Sequence, residues 1–488
     1  MALLKDILYK VKLLSTSGDM SRKVENITFD SRQVKPDWAF IAIKGTRVDG
    51  HEFIEKAIES GASVIVAEKL PENLKENVTY IQTANSSRAL SIMASNYYGN
   101  PSSRLNLVGV TGTNGKTTIV TLLHQLFMNL GYNAGMLSTV CNKINDEELK
   151  ATHTTPDAIQ INQLLKQMAD AGCTHCFMEA SSHAIVQERV SGLDFDGAIF
   201  TNLSRDHLDY HVTFKDYIYA KKMLFDQLKG DAFAIYNADD KQGQVMVQNT
   251  KARIYSYSLH TISDFQAKVL SNSLQGLELD IDGRNGWFKL IGLFNAYNLL
   301  AVYAAATLLG EESDEVLVQL SDLSSAPGRF EQVINFDPEI TGIVDYAHTP
   351  DALENVLSTI ANLRTGNEKV ITVVGCGGNR DKGKRPEMAE IACRYSDKVI
   401  LTSDNPRHEE PKKIIEDMWK GVPGVHFKKV LEIIDRKEAI KTACTLAKNK
   451  DIILIAGKGH ETYQEIEGTK YPFDDKKILA EMFKLLYS

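Results

Sequence analysis

The sequence predicts an α/β protein of three domains, with mostly parallel sheets in the central and C-terminal domains. Apolar strand patterns alternate with amphipathic helix patterns over most of the chain, which is typical of parallel strands joined by helices. The length of 488 residues fits about three domains of ordinary size. Clusters of turn-forming residues at 98–102 and 324–329 interrupt the patterns. We therefore predict a small α/β domain at 1–101, a central domain at 102–328 and a Rossmann-like domain at 329–488.

Each domain has its own order of predicted elements. The N-terminal domain mixes short strands with a helix that Gly61 ends. The central domain opens with a strand, a glycine loop and a helix that Gly131 ends. The predicted strands are 41–43, 62–67, 105–110, 176–180, 197–203, 342–346, 370–374, 398–401 and 452–455. The predicted helices are 53–60, 117–130, 157–171, 214–228 and 295–309, and a β-like stretch at 253–293 has a turn at 282–286.

Charge and hydropathy exclude several classes of protein. Lys and Arg total 55 against 63 Asp and Glu, so the net charge is −8, which disfavours a general nucleic-acid binder. No apolar run approaches the roughly 18 residues that span a membrane, and the N-terminal segment has no signal-peptide core. We therefore expect a cytoplasmic protein with small-molecule substrates and neither a nucleic-acid nor a membrane partner. We also expect a monomer, which charge and hydropathy do not decide.

The six cysteines are sparse, as expected in a reducing compartment. Cys173 and Cys176 form a CxxC pattern, but no second cysteine pair lies near it in the sequence. Ordinary buried thiols are therefore favoured over redox or zinc chemistry.

The strongest motif is a glycine-rich loop between the strand at 105–110 and the helix at 117–130. It reads Gly109-Val-Thr-Gly-Thr-Asn-Gly-Lys-Thr-Thr118. Glycines allow backbone N–H groups to face a phosphate, and the helix N-terminus adds a positive dipole end. Lys116 would contact the β- and γ-phosphates, and the Thr117 hydroxyl would bind Mg²⁺. The standard pattern has glycine where this chain has Val110, so the loop is a variant. The alternative is a strand–helix turn without a ligand.

A second glycine cluster, at 374–380, only partly matches a dinucleotide fingerprint. Arg380 stands where that fingerprint has its third glycine. A nicotinamide site is therefore disfavoured.

The phosphate loop and further motifs resemble those of the Mur ligases, the ATP-dependent amino-acid-adding enzymes of peptidoglycan precursor synthesis. The motifs follow family order and cover nearly the whole chain. The resemblance is closest to the branch that adds the third peptide residue. The motifs are Asp30-Ser-Arg32, Gly112–Thr118, Thr154-Thr-Pro-Asp157, Met178–His183, Asn202–His211, Tyr236–Asp240, Ala326–Glu331 and Asp345–Pro350.

The resemblance implies three domains: one for the UDP-sugar, a central ATPase domain and a Rossmann-like amino-acid domain. It also implies ATP-driven amide formation. The terminal carboxylate of UDP-MurNAc-L-Ala-D-Glu attacks the γ-phosphate of ATP, and an amine displaces phosphate from the resulting acyl phosphate. Such a transfer needs cations around the γ-phosphate.

The resemblance also implies site residues. The metal set would hold Mg²⁺ and comprises Thr117, Glu179, His207 and Lys221, with Lys221 carbamylated by CO₂ to N6-carboxylysine. The catalytic set is Lys116, Lys221, Glu179 and His207. The ATP set comprises Thr111, Gly112, Thr113, Asn114, Gly115, Lys116, Thr117, Thr118, Asn295, Arg329, Asp345 and His348. The UDP-MurNAc-dipeptide set comprises Ser31, Thr154, Thr155, Ser181, Gln187 and Arg189.

Several of these residues have structural alternatives. Glu179 could be a solvated strand end and His207 a loop histidine. Thr154 and Thr155 could cap the helix at 157–171. Lys222 follows Lys221 directly, and without the family pattern both would be surface charges. Lys221 is chosen because it follows Ala220, as in the family pattern.

The motif Asp404-Asn-Pro-Arg407 is similar to that of family members that add meso-diaminopimelate. This amino acid differs from lysine by a distal carboxylate, which an arginine binds through two parallel hydrogen bonds. An unpaired arginine in a closed pocket would also select against lysine. The implied set is Arg380, Asp404, Asn405, Pro406, Arg407, Gly457 and Glu461, with Glu461 facing the distal ammonium.

Other functions remain open at this point. The nearest alternative is the same reaction with L-lysine. A comparison of the amino acids that the enzyme accepts would distinguish the two reactions. Another Mur or folylpolyglutamate-type ligase is disfavoured by the motifs at 30–32 and 404–407. A phosphate-loop switch or a structural protein would not need Glu179, His207 and Lys221 together.

Overall fold

A computed structural model describes residues 1–45, 48–151, 153–204 and 213–487. The chain divides into two compact units. The first comprises residues 1–266 and 298–319, and the second comprises residues 267–297 and 320–488. The predicted α/β class with mostly parallel sheets is confirmed. The domain boundaries at 101/102 and 328/329 stay a prediction.

The N-terminal part of the first unit contains a five-stranded sheet. Four of its strands are parallel, and Leu13–Ser17 pairs antiparallel with Thr79–Thr83 at one edge. The five strands are Leu13–Ser17, Ile27–Thr28, Ala39–Ile41, Val64–Ala67 and Thr79–Thr83, and a separate antiparallel pair is formed by Ala2–Leu3 and Lys23–Val24. The helices are Leu4–Ile7, Ile54–Glu59 and Ser86–Tyr97, with 3-10 turns at Gly50–Phe53 and Pro101–Arg104.

The central part of the first unit places Asn106–Thr111 inside a mostly parallel sheet, between His175–Glu179 and Gly197–Phe200. The antiparallel strands at one edge are Cys141–Ile144 and Glu147–Lys150. The other strands are Ala134–Leu137, Phe233–Asn237 and Arg253–Ser258. The helices are Lys116–Asn129, Ala158–Asp170, Ser182–Val186, Phe214–Asp226 and Gly243–Val247. Strand Phe265–Ser273 and helices Leu293–Leu308 and Ser313–Asp322 run through the boundaries between the units. Because neighbouring parallel strands end at one sheet edge, the residues that follow them collect there.

The second unit contains a six-stranded sheet that is parallel except for its first strand. In spatial order the strands are Glu331–Phe336, Glu339–Asp345, Ile452–Ala456, Val370–Cys376, Lys398–Ser403 and Val430–Glu432. Antiparallel pairs are formed by Gly276–Ile281 with Arg284–Phe288 and by Tyr463–Ile466 with Thr469–Pro472. The helices are Pro350–Leu363, Lys384–Tyr395, Pro411–Trp419, Arg436–Leu446 and Asp475–Tyr487, with a 3-10 turn at Gly424–Lys429.

Most predicted elements are present, with small shifts at their ends. The predicted strand at 197–203 ends at Phe200, and the predicted turn at 282–286 is shorter, because strand pairing resumes at Arg284. All six cysteines are buried thiols, as predicted for Cys173 and Cys176. Burial raises the pKa of Cys141 and Cys376 to about 12, so neither is a reactive thiolate near neutral pH. Across the described ranges, we find no helix with the length and apolar character that a membrane span requires.

Candidate active site

The glycine loop has a backbone conformation that favours glycine at two positions. It joins strand Asn106–Thr111 to helix Lys116–Asn129. Gly112 and Gly115 have φ angles of 151° and 91°. A Cβ atom on Gly112 would lie 1.8 Å from the Thr201 hydroxyl, so no larger residue fits. The loop therefore ends at the N-terminus of a buried helix, where the N–H groups of the first helical turn can bind a phosphate.

Lys116 lies across the loop that precedes it. Its Nζ donates to the carbonyl oxygens of Gly112, at 3.0 Å, and Thr113, at 2.8 Å. The buried hydroxyl of Thr117 donates to Glu179 Oε1 at 2.9 Å. Both residues lie at the loop, and their phosphate and metal roles stay predictions.

The loop is held by two residues to which the sequence analysis assigned no role, although Asn202 begins one of the quoted motifs. Thr201 and Asn202 directly follow strand Gly197–Phe200. Asn202 accepts from the backbone N–H of Thr113, at 2.8 Å, and of Asn114, at 3.0 Å. The Thr201 hydroxyl donates to Asn114 O at 2.6 Å. Their position after a strand parallel to the loop strand was the available signal. The remaining predicted loop residues, Thr111 and Thr118, are buried.

Glu179 is a buried carboxylate at the end of strand His175–Glu179. Its Oε1 accepts from Thr117 and from the Thr139 N–H, at 2.7 Å. Its Oε2 is buried and has no hydrogen-bond partner among the described residues. An unsatisfied carboxylate oxygen beside a hydroxyl suits Mg²⁺, which prefers oxygen ligands. The alternative of a solvated strand end is excluded.

The predicted metal set is only partly described. His207 lies outside the described residues. Among the residues that the structure describes, no group of three His, Cys, Asp or Glu side chains could hold a metal ion. The metal role of Glu179 therefore stays a prediction.

The structure distinguishes the two neighbouring lysines. Lys221 is 1% exposed, and its Nζ donates to Gly112 O at 2.7 Å, above the Tyr217 ring. The Lys222 ammonium instead pairs with Asp226 at 2.5 Å. Lys221 therefore faces the phosphate loop, which agrees with the register chosen from the sequence. The Lys116 and Lys221 ammonium groups bond to the same carbonyl oxygen, and two like charges so close repel each other.

Four residues of the predicted UDP-MurNAc-dipeptide set lie together beside Glu179. The Thr155 hydroxyl donates to Glu179 O at 2.8 Å and to the Ser181 hydroxyl at 3.3 Å. Arg189 donates to Thr155 O at 2.7 Å and to Gln187 Oε1 at 2.6 Å. These contacts make one polar surface.

The other two residues of that set have separate contacts. Thr154 accepts from the Thr139 hydroxyl at 3.2 Å. Asp157, rather than Thr154 or Thr155, caps helix Ala158–Asp170, so the capping alternative is wrong. Ser31 is buried in the N-terminal part, beside the Asp30–Arg32 pair, whose atoms lie 2.8 Å apart.

The remaining predicted ATP residues belong to the second unit. Asp345 is buried and accepts from the N–H groups of Phe330, at 2.7 Å, and Ala347, at 2.8 Å. Burial raises its pKa, which the nearby Arg329 partly offsets. The Arg329 guanidinium lies over the Tyr346 ring at 4.7 Å. The described contacts of Asp345 therefore position the backbone around Arg329.

His348 and Asn295 have local backbone contacts. His348 Nδ1 lies 3.0 Å from Tyr346 O. Asn295 is buried, and its amide donates to Ile291 O at 2.8 Å. Their roles at ATP stay predictions.

The predicted diamino-acid residues follow three adjacent parallel strands of the second unit. Arg380 follows Val370–Cys376, the 404–407 motif follows Lys398–Ser403, and Gly457 follows Ile452–Ala456. A Cβ on Gly457 would lie 2.6 Å from Asp404 Oδ2, so glycine is required there. The sheet thus brings the whole predicted set to one edge.

Buried polar groups connect this set. The Asn405 amide donates to Glu461 Oε2 at 2.7 Å. Burial raises the pKa of Glu461, while Lys458 lowers it. Lys458 Nζ donates to Asn405 Oδ1 at 3.0 Å and lies 3.4 Å from Glu461 Oε2. Lys458 had no predicted role. The sequence feature that could have indicated one is a lysine between two glycines directly after a buried strand.

Arg407 is half-buried and held by its neighbours. Its Nη1 donates to Gly378 O at 2.9 Å, and its Nε lies 3.4 Å from Glu465 Oε2. Its φ angle of 52° is unusual for a residue other than glycine. Pro406 is buried beside Gly378, and Arg380 is exposed. The role of Arg407 toward a carboxylate of the amino acid stays a prediction.

The ion pair between Arg436 and Asp475 anchors this sheet edge. Both side chains are fully buried, their atoms lie 2.7 Å apart, and Arg436 also donates to Ala456 O at 3.0 Å. We expect Arg436→Met to lower the free energy of unfolding by about 3–5 kcal/mol, because Asp475 would remain buried without its partner. Urea unfolding would measure this change. The exposed Lys441 on the same helix is the control, and Lys441→Met should change stability by less than about 0.5 kcal/mol. Equal losses of stability in the two variants would contradict the anchoring role of the Arg436–Asp475 pair.

Known proteins resemble the chain over its whole length. The Mur ligase family catalytic domain model matches residues 23–98, the Mur ligase middle domain model matches 110–306, and the glutamate ligase domain model matches 328–459. Together with the phosphate loop, these matches define an ATP-dependent ligase.

Individual relatives agree with this class. A UDP-N-acetylmuramoyl-L-alanyl-D-glutamate–2,6-diaminopimelate ligase of Cytophaga hutchinsonii is 60% identical and covers 99% of both chains. A relative of the same name from Phocaeicola vulgatus is 54% identical, covering 98% of this chain and 99% of its own. A solved structure of a ligase of that name is 33% identical, with a TM-score of 0.71, covering 100% of this chain and 99% of its own. The chain belongs to the Mur ligase family, and the predicted family and enzyme class are confirmed.

Proposed function

We propose that this ligase adds meso-2,6-diaminopimelate to UDP-MurNAc-L-Ala-D-Glu, with conversion of ATP to ADP and phosphate through an acyl phosphate. The observation that carries the ligase chemistry is the convergence of Lys116, Lys221 and the Thr117–Glu179 pair on one phosphate loop. The choice of amino acid rests on Arg407 and Glu461 at one sheet edge, and the names of the relatives agree with it.

The first step forms an acyl phosphate. An oxygen of the terminal D-Glu carboxylate attacks the γ-phosphorus, and the bond to the β–γ bridging oxygen breaks to release ADP. Two anions must approach each other in this step, so positive charge near the γ-phosphate lowers the barrier. Lys116 and the N-terminus of helix Lys116–Asn129 supply that charge.

The second step forms the amide bond. The uncharged α-amine of the diamino acid attacks the acyl carbon, phosphate leaves and the amine loses its proton. Arg407 binds the distal carboxylate and Glu461 the distal ammonium, so the reacting amine is selected by position. Lysine lacks the distal carboxylate and would leave Arg407 without that partner.

Mg²⁺ and a lysine carbamate fit the residues present. The unsatisfied Oε2 of Glu179 and the Thr117 hydroxyl would hold Mg²⁺, which when bound neutralises phosphate charge. The Lys221 amine would attack CO₂, form an N–C bond and lose a proton. The resulting carbamate replaces a buried cation that faces Lys116 with an anionic oxygen donor.

The proposed setting is the cytoplasmic synthesis of peptidoglycan precursors by a monomer.

An ADP-release assay with ATP and UDP-MurNAc-L-Ala-D-Glu tests the reaction by comparing meso-diaminopimelate with L-lysine. We expect release that depends on meso-diaminopimelate. ADP release with L-lysine but not with meso-diaminopimelate would show that the enzyme adds lysine instead. ADP release with neither amino acid would overturn the proposed function.

We expect Lys221→Ala to lower turnover about 10²- to 10³-fold, because the site would lose a preorganised charged group. Added formate or acetate should restore part of the activity, and wild-type activity should fall when CO₂ is removed. Lys222→Ala is the matched control and should stay within about threefold of wild type, because that side chain pairs with Asp226. A Lys221 variant that ignores carboxylates, with a wild type that ignores CO₂, would contradict the carbamate.

A further inference from the structure

Lys458 is a fully buried lysine outside every predicted set. It follows strand Ile452–Ala456 and is 0% exposed. Its ammonium lies 3.4 Å from Glu461 Oε2 and 3.9 Å from Asp404 Oδ1. A buried cation is costly unless it is paired, so these contacts hold the lysine in place.

The same ammonium fixes the orientation of the Asn405 side chain. Asn405 Oδ1 accepts from Lys458 Nζ, at 3.0 Å, and from the Glu465 N–H, at 2.9 Å. With both donors on the oxygen, the amide nitrogen must face Glu461 Oε2, at 2.7 Å. Lys458 therefore acts on Glu461 both directly and through Asn405.

Several charged and titratable groups surround Glu461. Burial and the neighbouring Asp404 raise the pKa of Glu461, while Lys458 and the Asn405 amide lower it. Arg436, Tyr346 and Tyr463 also interact with this cluster. Lys458 is the cation in direct contact with the Glu461 carboxylate among the described residues.

We propose that Lys458 is a positioning residue that holds Glu461 ionised and oriented for the distal ammonium of the diamino acid. This inference rests on the proposed function, since it assigns Glu461 to that ammonium. Without Lys458, two carboxylates would share a buried site without this cation, which favours the protonated form of one of them. A protonated Glu461 cannot pair with an ammonium.

Lys458→Met tests the proposal with meso-diaminopimelate and with 2-aminopimelate, which keeps the distal carboxylate but lacks the distal ammonium. We expect KM for meso-diaminopimelate to rise at least about tenfold, with kcat at saturation within about twofold. KM for 2-aminopimelate should change little. The acid limb of the meso-diaminopimelate pH profile should move to higher pH, because loss of the cation raises the pKa of Glu461 further.

Matched variants separate this role from a structural one. Lys470 is exposed and lies 4.0 Å from the Tyr463 ring that Lys458 also faces, and Lys470→Met should leave the pH profile unchanged. Lys458→Arg should restore part of the affinity. Adding Lys458→Met to Glu461→Gln should cost little beyond Glu461→Gln alone, because one residue acts through the other. If Lys458→Met does not fold, Lys458→Gln undergoes the same measurements.

An equal rise in KM for both amino acids, or an unmoved pH profile, would overturn the inference. Calorimetric measurement of meso-diaminopimelate binding distinguishes a failure of this inference from a failure of the proposed function. A wild type that binds this amino acid but releases no ADP would overturn only the proposed function. The Lys458 variants would then be compared by their affinity for meso-diaminopimelate. A wild type that does not bind it would overturn both.

Discussion

Lys116→Ala is expected to abolish ADP release, with kcat at least about 10²- to 10³-fold lower. The side chain bonds to two carbonyl oxygens of the phosphate loop, at 3.0 and 2.8 Å, so its ammonium lies at the rim of the loop. When the γ-phosphate is transferred, alanine at this position leaves the developing negative charge without its nearest fixed cation. A coupled assay for ADP at saturating substrates measures the effect.

Lys166→Ala is the control for this prediction. Lys166 lies on helix Ala158–Asp170 and pairs with the exposed Asp170 at 2.7 Å, so its loss should leave turnover within about twofold. Thermal unfolding should show that both variants remain folded. Substantial residual turnover in Lys116→Ala would contradict the assignment of the phosphate loop.

Arg407→Ala is expected to lower kcat/KM for meso-diaminopimelate by roughly 10²- to 10³-fold. KM for ATP and for UDP-MurNAc-L-Ala-D-Glu should change little, because the Arg407 side chain contacts Gly378 and Glu465 in the second unit. The preference for meso-diaminopimelate over L-lysine should also shrink, since lysine never used the guanidinium. Steady-state kinetics with each substrate varied in turn separate these effects.

Two further variants sharpen the result for Arg407. Arg407→Lys keeps the charge but loses the planar fork, so it should restore only part of the selectivity. Arg394→Ala, which removes an exposed arginine paired with Glu354 at 3.0 Å, should be neutral. A uniform loss for all three substrates in Arg407→Ala would refute its role in amino-acid selection.

Local sequence determined a large part of this protein. Strand and helix patterns predicted the α/β class, because periodicity depends only on neighbours along the chain. The phosphate loop could also be predicted, since Gly112 and Gly115 adopt positive φ angles that few other residues tolerate. Arg407 and Glu461 entered through motif resemblance, which depends on order along the chain rather than on contacts.

Only the tertiary structure decided which polar groups meet. Lys221 and Gly112 are 109 residues apart, and helical phase alone did not distinguish Lys221 from Lys222. Asn405 and Lys458 are 53 residues apart, yet their hydrogen bond orients the Asn405 amide toward Glu461. Such contacts depend on strand order and packing, which join distant segments at one sheet edge. Local patterns carry no information about these pairs. Because the groups are buried, their electrostatic interactions are stronger than they would be in water.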